Sequence, residues 1–310
     1  MFRCVPIFTL LCFIYGYSAL YADELKENKS GIYESSGLSA SAQGGFIHQM
    51  DADLDSGGSF SVNRFFVQTS PTYSYGNFNS ISLSLGYGFD SYDFSGETGL
   101  GARGPWDDVH SFRVSLPWRW KINENWMGFV SPTLRYSAMD GADFDDALTG
   151  GGVAAFSYRY NDRLSVGGGF AVMTQLEDDT QVIPILIIDW KITDTWSLQT
   201  LQGTGAAPGP GLTLSWQPNE RWLVSFGGRY EELRFRLSES GAVPGGIGED
   251  RSFPVFTGIE YRINPKASIF FMGGIEVGGE LSLEDREGRT LVEEEHDPAG
   301  FLGVSFSASF

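Results

Sequence analysis

The chain has few cysteines, few basic residues and, after its start, no long hydrophobic run. Cys4 and Cys12 are its two cysteines, and both lie within the first 22 residues. The rest of the chain therefore has no disulfide framework and no thiolate zinc site. Beyond residue 22, no stretch is apolar enough for a membrane-spanning helix, which needs about 20 consecutive apolar residues. The chain has 21 Lys and Arg against 39 Asp and Glu, which argues against a nucleic-acid partner.

The first 22 residues are organised as a secretory signal peptide. Arg3 supplies the charged start, residues 5–15 form the apolar middle, and the small residue Ala22 precedes the polar Asp23. We predict export and cleavage after Ala22, followed by a short periplasmic lead-in over the polar residues 23–37. Cleavage removes Arg3 and no acidic residue, so the mature chain carries 20 basic and 39 acidic residues, a net charge of −19.

Residues 38–310 form a series of short segments in which apolar and polar residues alternate, as in β-strands with one buried face. Six short connections are rich in Asn, Asp, Pro or Gly, which tolerate the backbone angles of a tight reversal. They are residues 75–78, 122–125, 160–163, 192–195, 217–220 and 263–266. Longer, acidic or Gly-rich connections alternate with them: 51–58, 90–108, 140–150, 177–180, 203–211, 237–252 and 284–300.

This alternation predicts an all-β fold, an antiparallel up-and-down β-barrel that crosses a membrane. In the absence of an apolar helix, only a closed sheet satisfies every backbone group in lipid. We count about 14 strands, or 12 if one of the weaker hairpins does not form. An even number of strands places both chain ends and all short turns on one side of the membrane.

The last ten residues, 301–310, alternate between apolar and small polar side chains and end on an aromatic residue. Gly303, Phe306 and Phe310 resemble the C-terminal assembly signal of Gram-negative outer-membrane β-barrels, although Ala308 stands where that family usually has a bulky residue. The chain looks most similar to porin-like single-chain barrels of intermediate size, a resemblance that implies no particular substrate. It does imply an outer-membrane location, contact with lipid and lipopolysaccharide, and delivery by the barrel-assembly machinery.

Charged residues fall on the strand face opposite the aromatic residues. Phe112 and Trp118, for example, alternate with Arg113 and Arg119. A charge facing lipid costs up to about 2–4 kcal/mol at the membrane midplane, so we expect the charged face to line the lumen. The predicted lumen-lining residues are Arg113, Arg119, Arg135, Asp189, Arg229, Glu231, Glu260, Arg262 and Glu276. They set the field of a pore or, alternatively, form an internal ion-pair network that closes the barrel.

Three acidic runs lie in predicted long connections, at residues 51–55, 143–146 and 293–297. Carboxylates of this kind can hold divalent cations, but the residue order of a calcium-binding loop is absent. We therefore predict a solvated surface near lipopolysaccharide, with no metal site and no cofactor.

No catalytic site is predicted. Asp108 and His110 resemble the Asp-x-His pair of outer-membrane aspartyl proteases, with Asp51 and Asp53 as a conceivable second acidic pair. His110, however, shares the parity of the lipid-facing Phe112 and should point outward. The predicted function is a passive pore or uptake channel for small solutes. The alternatives are a non-conducting structural or surface-interaction barrel and, least favoured, an outer-membrane hydrolase.

Overall fold

The computed structural model describes residues 36–76, 78–200 and 210–310. Strands make up 74% of these residues. The rest are loops, a five-residue helix α1 (Gly99–Arg103) and a single 3-10 turn (Asp145–Ala147). No helix in this part of the chain is long and apolar enough to cross a membrane. The predicted signal peptide and nearly all of the predicted lead-in lie outside the described residues.

The sheet consists of 18 segments that form 14 strands, because four segments continue the preceding one after a break of one or two residues. The segments are β1 (Gly37–Asp53), β2 (Ser59–Tyr75), β3 (Asn79–Ser82), β4 (Ser84–Ser95), β5 (Asp108–Ser115), β6 (Trp118–Lys121), β7 (Trp126–Met139), β8 (Leu148–Asn161), β9 (Leu164–Gln175), β10 (Asp178–Lys191), β11 (Trp196–Thr200), β12 (Gly211–Trp216), β13 (Trp222–Arg229), β14 (Glu231–Arg236), β15 (Ile247–Asn264), β16 (Ala267–Glu284), β17 (Thr290–His296) and β18 (Ala299–Ser309). The segments that continue the preceding one are β4, β6, β14 and β18.

The sheet closes on itself. Strands that are consecutive along the chain pair antiparallel, and β1 pairs with β18 from Ser41 opposite Ser309 to Gln49 opposite Phe301. This confirms the predicted all-β, up-and-down barrel with 14 strands. The short connections lie at one end of the barrel, which we call the short-turn end, and the longer ones lie at the long-loop end.

The strands run further into the long-loop end than the sequence predicts. β15 begins at Ile247, inside the predicted connection 237–252, and β17 lies inside the predicted connection 284–300. The acidic run 293–297 is therefore largely strand; Glu293, Glu295 and Asp297 are exposed, as a solvated face requires, whereas Glu294 is buried. The physical reason is that alternate side chains of β17 turn inward, so that Glu294 and Val292 lie opposite the buried Leu281 and Leu283 of β16.

The barrel wall narrows towards the long-loop end. β14 reaches across the ends of β8–β12 and pairs in parallel with β7, with Arg236 opposite Ala138. The strands β14, β15, β16, β17, β1, β2, β4, β5 and β7 therefore form a smaller ring in this half. A bulge at Gly278 lies where the wall narrows, and its φ of +60° is accessible to glycine without strain.

The outer surface is apolar around the barrel. Large side chains such as Phe112, Phe226 and Phe271 are about half exposed there. Tryptophans cluster near the short-turn end: the ring centroids of Trp118 and Trp120 lie 5.0 Å apart. A water-soluble protein rarely exposes so much apolar surface, whereas a membrane barrel has an apolar band bordered by aromatic residues.

Candidate functional site

The inner face of the sheet is identified by contacts between strands that are not neighbours. The guanidinium of Arg64 on β2 contacts Asp250 on β15 and Glu276 on β16, although β18 and β1 separate β16 from β2 in the sheet. Such contacts can be made only across the barrel interior. Side chains alternate between the two faces of a strand, so every second residue counted from these three positions also belongs to the inner face.

An apolar cluster fills the interior of the smaller ring, and we call it the apolar closure. Its members come from seven of the strand segments and from the loops beside β1, β4 and β14. They are Ala52, Leu54, Phe60, Val62, Tyr92, Leu100, Trp106, Val109, Leu233, Phe235, Leu237, Leu281, Leu283 and Ala299. The Trp106 ring packs edge-on against Phe94 and Phe235, at centroid distances of 5.5 and 5.4 Å. The long-loop half of the barrel is thus packed like a protein core.

The segment between β4 and β5 supplies two members of the apolar closure that do not lie in strands. It carries α1 and inserts Leu100 and Trp106, both at most 2% exposed, into the ring. The backbone N–H of Leu100 donates to a carboxylate oxygen of Glu294 over 3.1 Å, which explains why an acid is buried on β17. At Gly96 (φ +134°), an added Cβ would lie 2.5 Å from the Gly58 Cα, so this close approach of two loops requires glycine.

A group of charged and polar side chains adjoins the apolar closure, and we call it the Arg64 cluster: Arg64, Asp90, Asp250, Glu276 and Tyr92, whose ring also belongs to the apolar closure. The Arg64 guanidinium lies 3.0 Å from Asp250, 3.0 Å from Glu276 and 3.5 Å from Asp90. The Tyr92 hydroxyl donates to Asp250 over 2.8 Å. All five side chains are buried. One guanidinium on β2 therefore contacts carboxylates on three other strands, β4, β15 and β16, and its removal would leave buried carboxylates without their counter-ion.

The short-turn half of the interior has a different lining. Hydroxyl groups on neighbouring strands pair with one another along its inner face. The pairs are Ser115 with Thr133 (2.9 Å), Thr72 with Ser82 (2.8 Å) and Ser215 with Ser225 (3.1 Å). Two apolar patches, one around Ile183 and Ile185 and the other around Phe256 and Met272, interrupt this polar surface.

The structure divides the sequence-predicted set of charged residues into separate groups. Glu276 belongs to the Arg64 cluster. Arg229, at the end of β13, and Glu231, at the start of β14, form an ion pair with each other. On β15, the Arg262 guanidinium pairs with the Glu260 carboxylate at 3.1 Å.

The remaining predicted residues lie on the inner face of the short-turn half or next to it. Asp189 accepts a hydrogen bond from the Gln199 amide over 3.2 Å. Arg113 and Arg135 lie directly opposite each other on β5 and β7, and Arg119 follows on β6. All three arginines are half-buried.

Sequence reasoning missed the centre of the Arg64 cluster. Asp90 and Asp250 fall at the edges of predicted long connections, where a facing could not be assigned, and Arg64 was not singled out. The available signal was parity: Arg64 alternates with the exposed Phe65 and Val67, and Asp90 with Phe89. Once it is known that β2 and β4 extend past these residues, the alternation places the side chains of Arg64 and Asp90 on the inner face.

Two further candidate sites, around His110 and around an acidic group at the long-loop end, lie away from the Arg64 cluster. His110 lies on the outer face, 2.8 Å from the Tyr87 hydroxyl and 3.6 Å from an Asp140 carboxylate oxygen. At the long-loop end, the carboxylates of Asp143, Asp146 and Glu239 lie within 4.8 Å of one another. The Arg286 guanidinium contacts all three, most closely Asp146 at 2.8 Å, so these carboxylates already share a cation.

The residues of the predicted assembly signal lie on the closing strand β18. Phe306 points outward and is half exposed. At Gly303, an added Cβ would lie 3.0 Å from the side chain of Ile47 on β1. The backbone N–H of Phe310 donates to the Ala40 carbonyl over 2.8 Å, so the last residue is tied to the first strand.

Comparisons with known proteins agree with this architecture. The COG4313 outer membrane channel from Pseudomonas putida F1 superposes with a TM-score of 0.51 and 9% identity, covering 90% of this chain and 98% of that one. A FadL homologue from Pseudomonas aeruginosa gives a TM-score of 0.50 and 10% identity, covering 87% and 90%. At these identities the likeness concerns the fold. The fold is that of an outer-membrane β-barrel.

The family of the chain follows from its sequence. A family model described as a domain of unknown function (DUF6268) matches residues 102–310, and the chain belongs to that family. A comparison with curated protein sequences gives no match.

Proposed function

We propose that this barrel is an outer-membrane channel for small solutes that is closed at its long-loop end in the present conformation. The observation that carries the proposal is the contrast within the interior: a packed apolar closure on one side, and a polar, partly exposed inner face on the other. A barrel that served only as a scaffold would gain more stability from apolar packing along its whole length. The short turns then face the periplasm and the long loops face the exterior.

Export, assembly and lipid contact belong to the same proposal. The signal peptide over residues 1–22 directs export, and the assembly machinery reads Gly303, Phe306 and Phe310. The outer face then contacts lipid, and the long loops lie near lipopolysaccharide. Deletion of Phe310 should lower the amount of heat-modifiable barrel in the outer membrane, measured by gel shift. An unchanged amount would contradict the assembly signal but would leave the channel proposal intact.

The channel is tested by conductance in a planar bilayer. In the opened variant, residues 97–106 are replaced by a four-residue Gly/Ser linker, which removes Leu100 and Trp106 from the apolar closure. The parent protein should conduct weakly or not at all, whereas the opened variant should give steady single-channel currents. A control with a similar loop change, replacing residues 286–288 with Gly-Ser-Gly, leaves the apolar closure intact and should conduct like the parent.

A non-conducting barrel is the second candidate, and the Arg64 cluster favours it. Ion pairs that join β2 to β15 and β16 across the interior stiffen the barrel whether or not any solute passes. If the opened variant assembles, shifts on heating like the parent and carries no current, this second function stands and the channel is excluded.

A further inference from the structure

The Arg64 cluster contains more carboxylates than cations in a buried part of the interior. Asp90, Asp250 and Glu276 share the guanidinium of Arg64, and all four residues are at most 6% exposed. A buried ion is costly unless counter-charges and hydrogen bonds replace its hydration. If all three carboxyl groups were ionised, the cluster would hold a net negative charge in a packed region.

The other charged groups that face the cluster are engaged elsewhere or lie nearer to water. Arg229 and Glu231, where β13 meets β14, form an ion pair with each other. Arg113 on β5 and Arg135 on β7 lie further towards the short-turn half and are half-buried, so they keep part of their hydration. The inward titratable groups of β17 bond to backbone groups; they are Glu294 and His296. Arg64 is therefore the buried cation that these three carboxyl groups share.

Hydrogen bonds show which of the three carboxyl groups is in excess. Asp250 accepts from Arg64 and from the Tyr92 hydroxyl, and Glu276 accepts from Arg64. Within the described residues, neither carboxylate oxygen of Asp90 has a hydrogen-bond donor, although this residue is 1% exposed. Its contact with Arg64 is the longest of the three, at 3.5 Å. Asp90 is thus the carboxyl group whose negative charge the closed barrel stabilises least.

The cluster lies at the level where the outer face changes from apolar to polar. On β2 the outward residue Phe65 is followed, towards the long-loop end, by Asn63, and on β4 Phe89 is followed by Ser91. Asp90 is therefore close to the end of the apolar band. Opening of the long-loop end would bring its carboxyl group into contact with external water.

We propose that the Arg64 cluster is a pH-sensitive lock on the long-loop end: the closed barrel holds a proton on Asp90, and loss of that proton opens it. This inference rests on the proposed channel function and adds its regulation. When the O–H bond of the carboxyl group breaks, the proton passes to water or hydroxide and the negative charge stays on Asp90. The closed state holds one proton more than the open, hydrated state, so a rise in pH favours opening and a fall in pH favours closure.

The first test measures access to the packed half as a function of pH. Ser252 is 2% exposed on the inner face of β15, whereas Ser84 is partly exposed on the inner face of β4, opposite Ser115. From about pH 5.5 to about pH 8.5, a hydrated carboxyl group is ionised throughout. Over this range a neutral maleimide should label Ser252→Cys increasingly fast relative to Ser84→Cys. The ratio cancels the pH dependence of thiol reactivity, and release of one proton lets it rise by up to about tenfold per pH unit.

Two substitutions on β4 assign the effect. Asp90→Asn has the shape of the neutral carboxyl group but no proton to lose, so the labelling ratio should stay low across the range. The control Asp93→Asn removes an exposed acid from the same strand and should behave like the parent. A flat ratio in the parent overturns the proposal without any variant, and so does a ratio that still rises in Asp90→Asn.

The second test measures current in a planar bilayer at the two ends of this pH range. The parent should be closed at the lower pH and show channel openings at the higher one, Asp90→Asn should stay closed at both, and the opened variant should conduct at both. Labelling that follows pH, without current in an assembled opened variant, rejects the channel and leaves the lock. Current in the opened variant, with labelling and parental current that ignore pH, rejects the lock while the channel stands.

Discussion

The two halves of the barrel interior are built from the same alternating strands but are packed in different ways. In the long-loop half, side chains from opposite walls touch: the rings of Tyr92 on β4 and Phe235 on β14 lie 6.2 Å apart. In the short-turn half, inward side chains bond mainly to neighbouring strands, as Ser115 does to Thr133. The difference follows from the circumference of the wall. A smaller ring lets inward residues meet and pack, whereas a wider one leaves them lining a polar surface.

The largest expected effect comes from removing the cation that joins opposite walls. Arg64→Met leaves Asp250 and Glu276 buried without their counter-ion, and breaking a buried ion pair in this way costs about 3–5 kcal/mol. We expect a marked drop in the temperature of heat modification of the purified barrel.

The matched control for that substitution is Arg113→Met, which removes a half-buried cation from the inner face of the other half. It should lower stability by less than about 1 kcal/mol, because the interactions of a partly exposed charge are screened by water. Equal losses for Arg64→Met and Arg113→Met would show that the two halves do not differ in packing.

A smaller effect is expected within the apolar closure. Leu100→Ala leaves a cavity at a side chain that is 0% exposed, and such substitutions cost about 2–5 kcal/mol. We expect the lower part of that range, because α1 lies in a loop that can relax into the space. Thermal gel shifts measure the loss. Leu291→Ala, at an exposed position of the same end, serves as the control and should change little.

The smallest effect is a difference in chemical access that leaves the fold unchanged. A neutral maleimide should label Ser84→Cys on the inner face of the short-turn half readily. It should label Ser252→Cys, which is 2% exposed among the inward residues of the long-loop half, only on local opening. Labelling in denaturant should be equally fast for the two variants, which shows that both cysteines are reactive. If the two variants are also labelled at similar rates in the native barrel, the long-loop half is not packed.

The sequence was sufficient for the barrel and its strand number because the relevant signals are local. Alternation at period two and turn-forming residues such as Asn264 and Pro265 act within a few positions. The interior of the long-loop half could not be read in this way. Arg64 and Asp250 are 186 residues apart along the chain, and only the closed sheet brings them together.

Acidic residues also misled the assignment of strand ends. Asp250 and Glu294 have the composition of solvated loops, yet each turns inward to a specific donor, the Arg64 guanidinium or the Leu100 amide. The inward facing of Arg113, Arg119 and Arg135 could be predicted from the alternation of residues along their strands. Their role in passage stays a prediction.

The parallel bridge between β7 and β14 has a consequence for the order of assembly. Ala138 and Arg236 are separated in sequence by all of β8–β13, so their meeting requires closure of a long loop and comes late. A barrel that grows by adding neighbouring hairpins has no means of forming this bridge before most of the wall exists. We therefore expect the nascent barrel to pass through a stage with an open mouth. The long-loop end of the finished protein then closes in the same step that brings these distant strands together.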